Sequence, residues 1–409
     1  MTQPAVALVG ALDTKGEEYS YLRDRLRGHN IASVLIDIGV LGVPTIQTDV
    51  TRESVAEAAG LTLADLIKAA DRDHAMQGMA RGARAVVSNL LAQGSVSGLF
   101  VMGGSNAGYA MSVLTSALPF GFPKMLVSTI VSGDTRPYVS GSDLAMMYPV
   151  EDIAGINSIS RSIIDRAAAA IAGMVLQPPI TVDAPSTAIG LSMFGVTTAC
   201  VTTVATHIRE RGWEPHVFHA TGTGGLSLES IIAGGHLSAV VDVTTTELAD
   251  ELVGGVCTAG QNRLTAAARD GVPQVVSPGA LDMVNFGSRD TVPERYRHRT
   301  LFAHNPAVTL MRTSPDENAE LGAIMARKLN TATAPVEIHI PARGFSQISV
   351  VGGIFHDPAA DHSFIEAVQR DIRADIPVYV HELSINDPEF ASIVFSALQR
   401  VLTLGEGTQ

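Results

Sequence analysis

The sequence predicts an α/β fold made of two Rossmann-like subdomains with mostly parallel sheets. Short apolar runs alternate with helix-like segments along the whole chain. Most of these runs are hydrophobic throughout, as expected of parallel strands that are buried on both faces. Several of them end in a glycine-rich turn that leads into a helix. A chain of 409 residues is too long for one hydrophobic core of ordinary size and long enough for two domains.

The first half shows the alternation most clearly. Its predicted strands are PAVALVGAL, IASVLIDIGV, VSGLFVMG and PKMLVSTIVSG. The segments predicted to be helical are DTKGEEYSYLRDRLRGHN, a long region from about Thr62 to Gln93, AGYAMSVLTSAL, and NSISRSIIDRAAAAIAGMV. This order of elements predicts a parallel sheet with helices on both faces.

A proline-rich segment, QPPITVDAPST, with Pro178, Pro179 and Pro185, predicts the boundary between subdomains 1–177 and 186–409. The second half shows the same alternation of strands and helices. Its predicted strands are STAIGLSMFG, EPHVFHATG, SAVVDVTTTEL, PQVVSPGALDMVNFG, VEIHIPARGFS and IPVYVHEL. TTACVTTVATHIRERG is predicted to be a helix. The two halves share an architecture, although no residue repeat is apparent.

Composition excludes several classes of function. The net charge is −13 and no basic run is present, so we expect no nucleic-acid partner. The two cysteines cannot form a disulfide framework, which fits a reducing compartment. The N-terminus lacks a cationic segment and no apolar run is long enough to span a bilayer. We therefore expect a cytoplasmic protein without a membrane partner.

The clearest candidate site follows the strand GLFVMG, where the chain enters a helix through a glycine-rich turn. Its residues are Gly103, Gly104, Ser105, Asn106 and Gly108. Glycines let a ligand approach the backbone, and the amides of a helix N-terminus attract phosphate or carboxylate. The turn is neither a Walker loop nor a full dinucleotide fingerprint. A tight turn that binds nothing would also need these glycines.

A second turn of the same kind lies in FHATGTGGLSLESII. It carries Gly222, Thr223, Gly224 and Gly225, and its hydroxyl groups add donors for an anion. A turn with a helix cap explains the same residues. Both turns predict a ligand that is a nucleotide or another anionic small molecule.

Asp13, Thr14 and Lys15 follow the first strand, at the carboxyl edge of the predicted sheet. Ligands of open α/β sheets bind at this edge. Lys15 could neutralise a phosphate and Thr14 could donate to it. The alternative is a capped helix with a solvated lysine.

A long polar loop follows the strand PKMLVSTIVSG, and its candidate ligand residues are Thr129, Ser132, Gly133, Asp134 and Thr135. Binding residues are often found on long polar loops held by a rigid sheet. Asp134 could hold a metal or a ribose hydroxyl, and a network of turn hydrogen bonds is the alternative.

Three residues near strand ends are candidates for proton transfer: Asp134, Glu247 and His304. They could act as acids or bases only if the fold brings them together with a substrate. No HExxH, paired CxxC or nucleophile-elbow motif stands in a suitable context, so we predict no metal centre and no hydrolytic triad.

The joint set of segments resembles the ATP-binding domain family of the tomato tobamovirus-resistance protein. The matching segments are ALDTKGEE, VMGGSNAG, PKMLVSTIVSGDTRPYVSGSDLAMMYPVEDIAGIN, LSMFGVTT, FHATGTGG, VVDVTTTELADELVGG, PGALDMVNFG and AHNPAVTLMRT. The resemblance covers nearly the whole chain. It implies a homodimeric two-subdomain module that binds ATP, with or without Mg²⁺, and whose nucleotide loop is 103–108. Asn106 departs from the small residue usual there.

The resemblance also implies a separate TIM-barrel-like partner protein that works with this module in small-molecule metabolism. Two other hypotheses stay open. The chain could be a stand-alone enzyme of lyase or hydrolase type that acts on a carboxylated or phosphorylated small molecule. It could also be a scaffold whose glycine turns are purely structural.

Overall fold

A computed structural model describes residues 3–139, 141–177 and 187–406. The chain divides into two compact units, Met1–Thr181 and Val182–Gln409. The proline-rich segment predicted as the boundary, with Pro178, Pro179 and Pro185, lies outside the described residues.

The first unit contains one five-stranded parallel sheet. Its strands are β1 (Ala5–Gly10), β2 (Ala32–Asp37), β3 (Gly98–Gly103), β4 (Lys124–Ser128) and β5 (Ala145–Met147). They lie side by side in the order β2-β1-β3-β4-β5, and every neighbouring pair is parallel.

Helices cover both faces of this sheet. They are α1 (Leu12–Gly28), α2 (Arg52–Ala58), α3 (Leu63–Ala69), α4 (Arg72–Ala92), α5 (Ser105–Thr115), α6 (Arg136–Val139) and α7 (Ser158–Leu176). Strand residues alternate between the faces. Leu8 and Phe100 pack with α1 and α7, whereas Val9 and Val101 pack with α4 and α5. The strands are therefore apolar on both sides, as the continuous hydrophobic runs predict.

The region from about Thr62 to Gln93 is helical as predicted, and a break at Ala70 and Asp71 divides it into α3 and α4. Ala70 ends α3 in the left-handed conformation, at φ 50°. The carboxylate of Asp71 then caps α4 by accepting from the amides of Asp73 and His74.

The second unit contains two sheets. Its strands are β6 (Ala188–Met193), β7 (Glu214–His219), β8 (Ala239–Thr244), β9 (Gln274–Gly279), β10 (Met283–Phe286), β11 (Leu301–Asn305), β12 (Val308–Arg312), β13 (Val336–Pro341) and β14 (Val378–His381). Six of them form a parallel sheet in the order β14-β13-β9-β8-β6-β7, and the other three form an antiparallel sheet in the order β10-β12-β11.

The helices of the second unit are α8 (Thr198–Glu210), α9 (Thr223–Ala233), α10 (Glu247–Val253), α11 (Ala266–Asp270), α12 (Pro315–Leu329), α13 (Pro358–Asp371) and α14 (Pro388–Glu406). PQVVSPGALDMVNFG is not one strand, as predicted, but two that belong to different sheets. The chain turns between β9 and β10 at Ala280, which has a φ of 55°.

Both parallel sheets place the first strand of the unit between the second and the third. β1 lies between β2 and β3, and β6 lies between β7 and β8. Successive crossovers therefore leave in opposite directions, which creates a topological switch point beside each of these strands. The predicted α/β class with mostly parallel sheets is confirmed. In such sheets the crevice for a ligand lies at the carboxyl ends of the two diverging strands.

Candidate functional site

The switch point of the first unit lies between the carboxyl ends of β1 and β3. The two strands pair as far as Val9 and Val101. The Tyr19 hydroxyl, from α1, is inserted just beyond that pair. It accepts from the Met102 amide at 2.7 Å and contacts the carbonyl oxygens of Val9 and Met102. Burial raises the pKa of Tyr19, so the phenol stays protonated and can donate. Tyr19 thus joins the two strands where they diverge.

Replacing Tyr19 with Phe is expected to destabilise the first unit by about 1–3 kcal/mol, because the buried Met102 amide would lose its acceptor. Hydrogen exchange of the β1 and β3 amides measures this loss. The control is Tyr21→Phe, since the hydrogen-bond partner of the Tyr21 hydroxyl among the described residues is the half-exposed Asp165 carboxylate. Equal protection in both variants would contradict this role of Tyr19.

The helix α5 begins directly at this switch point. Gly104 is its N-cap and gives it no side-chain cap. The Gly104 carbonyl is held by the Ser128 hydroxyl at 3.1 Å. Ser105 and Asn106 are exposed, and no acceptor among the described residues binds their amides. These first-turn amides cannot bond within the helix, so they are available to an external anion.

The three glycines of this turn differ in the space around them and in backbone conformation. A Cβ on Gly108 would lie 2.4 Å from Ile130 Cδ1 and close to the Tyr138 ring, so packing favours glycine there. Gly103 has a φ of 155°, which side chains rarely adopt. A Cβ on Gly104 would meet nothing within 4 Å. The space above Gly104 is open.

The second glycine-rich turn is already occupied by the protein itself. Glu247 Oε1 accepts from the amides of Gly222 and Gly225 at 2.7 and 3.0 Å. The glycines are packed internally: a Cβ on Gly224 would lie 1.7 Å from the His219 carbonyl oxygen. Thr223 begins α9 beside them. The prediction that Gly222, Gly224 and Gly225 present free amides to a ligand is therefore wrong for Gly222 and Gly225.

Glu247 belongs to a buried ion cluster, which explains why it fills the turn. The Arg263 guanidinium donates to Glu247 Oε2 at 2.6 Å and to both oxygens of Asp242 at 2.6 and 2.7 Å. Arg263, Glu247 and Asp242 are each at most 2% exposed. Glu247 thus holds the Gly222 and Gly225 amides and the Arg263 guanidinium, and its burial keeps it away from a substrate in solvent. The sequence analysis missed Arg263, which lies in no recognisable motif.

The amides at the start of α1 and α8 also have internal acceptors. Asp37 Oδ1 accepts from the Leu12 amide at 3.0 Å. Asn386 Oδ1 accepts from the Cys200 amide at 3.2 Å. Among these helices, which follow strands β1, β3, β6 and β7, α5 is the one whose first turn has no side-chain acceptor from the described residues.

The side chains of the predicted residues after β1 each form a hydrogen bond with the backbone of the protein. Asp13 Oδ2 accepts from the Gly42 amide at 2.9 Å, and the Thr14 hydroxyl donates to the Ala11 carbonyl at 3.3 Å. The Lys15 ammonium donates to the carbonyl of Ile153. A role for Lys15 in neutralising a phosphate remains a prediction.

The loop after β4 begins with a 3-10 helix, Thr129–Ser132, in which the Ser132 hydroxyl donates to the Thr129 carbonyl. Gly133 ends this turn, and Thr135 accepts from the Tyr138 amide. Asp134 is exposed, and the Arg136 guanidinium donates to both of its carboxylate oxygens. These hydrogen bonds lower the pKa of Asp134 to about 2. It is therefore ionised at neutral pH and cannot donate a proton.

The three candidates for proton transfer have unrelated surroundings. Asp134 pairs with Arg136, Glu247 is buried with Arg263, and His304 is exposed on the edge strand β11. Within residues 3–139, 141–177 and 187–406, no group of three or more His, Cys, Asp or Glu side chains is placed to hold a metal. In the same ranges no helix is long and apolar enough to cross a membrane.

Comparison with known proteins places this geometry in a family. Residues 4–179 match the N-terminal domain and residues 186–402 the C-terminal domain of an uncharacterised protein family, UPF0261. A UPF0261 protein of Mesorhizobium japonicum is 44% identical, over 96% of this chain and 98% of its own length. One of Clostridium tetani is 42% identical, over 94% and 96% of the two chains.

A tomato protein, the ToMV resistance protein Tm-1(GCR237) of Solanum lycopersicum, is 33% identical over 97% of this chain. The match spans 56% of the tomato protein, so this chain corresponds to about half of it. A UDP-N-acetylglucosamine 2-epimerase from Rickettsia bellii aligns over 98% of this chain and 96% of its own, at 8% identity and a TM-score of 0.22. That likeness is too weak to bear on function.

Proposed function

We propose that this chain, which belongs to the uncharacterised protein family UPF0261, is a nucleotide-binding protein. It holds the phosphate groups of ATP at the N-terminus of α5. The proposal extends the resemblance to the ATP-binding module described above. It includes homodimerisation and work alongside a separate TIM-barrel-like protein in small-molecule metabolism.

The observation that carries the proposal lies in the first turn of α5. The amides of Ser105 and Asn106 have no acceptor from the described residues, at the switch point of a parallel sheet. The positive end of the helix dipole favours negative charge at the same place. Gly104 bears no side chain, so phosphate oxygens can approach these amides closely. The Ser105 hydroxyl is exposed beside them and can add a further donor.

Calorimetric melting with and without ATP tests the proposal. At an ATP concentration 100-fold above Kd, binding to the native state alone is expected to add about 2.7 kcal/mol of stability. Gly104→Val should abolish this gain, because its side chain would fill the open space above the turn. Since a Cβ on residue 104 would have no protein atom within 4 Å, the variant should melt close to the wild type without ligand.

The matched control is Gly173→Val, on the exposed side of α7, where a Cβ also meets nothing within 4 Å. It should keep the full response to ATP. If ATP leaves the wild type unchanged while sugar acids or acyl phosphates raise its melting temperature, the stand-alone enzyme replaces the nucleotide-binding protein as the better hypothesis. If no anion tested shifts the melt, the scaffold hypothesis gains.

A further inference from the structure

Four side chains of the second unit form a continuous chain of hydrogen bonds across β13, β14 and α14. The Arg400 guanidinium, from α14, donates to both oxygens of Glu337 at 3.0 and 2.6 Å. Glu337 Oε2 lies 2.9 Å from His339 Nε2, and His339 Nδ1 lies 3.0 Å from His381 Nε2. Pro341 pairs with His381 in the parallel register, so the three side chains from the strands lie on one face of the sheet.

The chain of hydrogen bonds runs from the interior to the surface. Glu337 and His339 are 5% and 1% exposed, whereas His381, at the carboxyl end of β14, is partly exposed. The planes of the two imidazole rings differ by 3°, which suits a direct N–H···N hydrogen bond between their edges. The buried Phe390 ring packs against His381 at 5.8 Å in a T-shaped arrangement and limits the rotation of that ring.

The ionised end of the chain determines where each proton lies. Burial acts to raise the pKa of Glu337, but the hydrogen bonds from Arg400 and His339 outweigh it and lower that pKa, so Glu337 is an ionised acceptor. His339 Nε2 must therefore carry a proton and donate it. Burial lowers the pKa of His339 to about 4, so this neutral ring has no second proton and its Nδ1 accepts. The proton between the two rings consequently belongs to His381 Nε2.

His381 Nδ1 is left with a lone pair that the protein does not use. Burial lowers the pKa of His381 as well, against the opposing charge of Glu389, so near neutral pH the ring carries only its Nε2 proton. No described residue forms a hydrogen bond with Nδ1, and this atom is not buried. A neutral imidazole with an accessible lone pair is the form that accepts a proton in general base catalysis.

We propose that His381 is the proton acceptor of a catalytic site in the second unit, where it activates water or the hydroxyl group of a small molecule. The O–H bond breaks, its proton moves to His381 Nδ1, and its electron pair stays on oxygen, which becomes the nucleophile. The Nε2 proton can then shift to His339 Nδ1, which places the positive charge beside Glu337. His339 and Glu337 are positioning residues. This inference does not depend on nucleotide binding at α5.

Glu337→Gln tests the chain of hydrogen bonds while keeping its shape. Arg400 would hold the remaining carbonyl oxygen, so the new amide nitrogen would face His339 Nε2 and donate to it. His339 would then carry its proton on Nδ1 and donate to His381 Nε2, and His381 would be protonated on Nδ1 instead. The hydrogen bonds persist but the accessible lone pair is lost, in the way that an amide in place of the triad carboxylate imposes the wrong histidine tautomer.

Long-range ¹H–¹⁵N NMR of the full-length chain, labelled on histidine and recorded at about pH 7.5, measures these tautomers. The wild type is expected to hold His381 in the Nε2–H form, and Glu337→Gln to hold it in the Nδ1–H form. Glu366→Gln is the matched control, because Glu366 lies 3.1 Å from His362, an exposed histidine outside the chain of hydrogen bonds. A wild-type His381 protonated on Nδ1, or a tautomer that Glu337→Gln leaves unchanged, would overturn the proposal.

Hydrolysis of p-nitrophenyl acetate tests the role in proton transfer, because water must lose a proton as it attacks this ester. His381→Gln and Glu337→Gln are each expected to lower the protein-dependent rate at least about tenfold, whereas His362→Gln should leave it nearly unchanged. A rate that His381→Gln does not change, a wild type no faster than the buffer, or an acetyl group bound to His381 would overturn the role. Should Glu337→Gln fail to fold, the wild-type tautomer and the rate of His381→Gln decide.

Discussion

Replacing Arg263 with Met is expected to destabilise the second unit by about 3–5 kcal/mol, the usual cost of removing one partner from a buried ion pair. The guanidinium is the positive charge that pairs with both Asp242 and Glu247, which are buried. Without it, these carboxylates stay in the interior with no countercharge. The second glycine-rich turn should loosen too, because Glu247 holds the amides of Gly222 and Gly225.

Urea unfolding followed by the fluorescence of Trp213, the single tryptophan, measures the stability of the second unit directly. Arg269→Met is the matched control, because Arg269 forms a surface pair with Asp270 and is 62% exposed. Its loss should cost at most about 1 kcal/mol. Similar costs for the two arginines would show that the buried cluster does not stabilise this unit.

The sheets follow from the sequence because their signal is local. A run such as AVALVG is apolar at every position, which suits only a strand that is buried on both faces. Glycine-rich turns after β3 and β7 mark the change from strand to helix in the same way. The hairpin of β11 and β12 was not predicted, since its residues alternate weakly and their partners in β10 lie far back in the chain.

The difference between the two glycine-rich turns is not local. Both read as anion-binding turns, but the second is filled by Glu247, which is 22 residues from Gly225. Arg263, which holds Glu247 in place, looks like any surface arginine in the sequence. Lys124, the first residue of β4, is likewise buried and paired with a partner outside its own strand, Asp143, at 2.6 Å. Such pairings become visible only when the sheet brings distant strand ends together.

The second unit is also expected to lose stability as the pH rises from about 5 to 7, because Asp250 is buried. Burial raises the pKa of Asp250 to about 7, although the Cys257 amide and Asn285 donate to it. The Asn285 Oδ1 atom is buried without a partner. If the side-chain amide of Asn285 flips by rotation about its last bond, its Oδ1 faces Asp250. A protonated Asp250 can then donate to that oxygen, which would stabilise the neutral acid.

Proton linkage determines whether the free energy of unfolding rises or falls with pH. In the unfolded chain Asp250 releases its proton near its ordinary pKa of about 3.9, whereas the folded unit keeps it until about pH 7. Between these values the folded state binds more protons, so each pH unit removes up to about 1.4 kcal/mol per such group. Asp361, whose pKa burial also raises to about 7, adds to the slope. Below about pH 4 the contribution of both groups is complete, and above their folded pKa it is lost.

Trp213 fluorescence in urea at pH 5, 6, 7 and 8 measures this slope. Asp250→Asn should flatten it by the share of one proton, since asparagine imitates the neutral acid and can pair with the Asn285 oxygen. Asp270→Asn is the control, because Asp270 is a surface acid whose pKa is lowered by Arg269 and whose titration is over before pH 5. A slope that Asp250→Asn leaves unchanged would mean that the three donors around Asp250, the Cys257 amide and the backbone and side-chain amides of Asn285, keep it ionised in the fold.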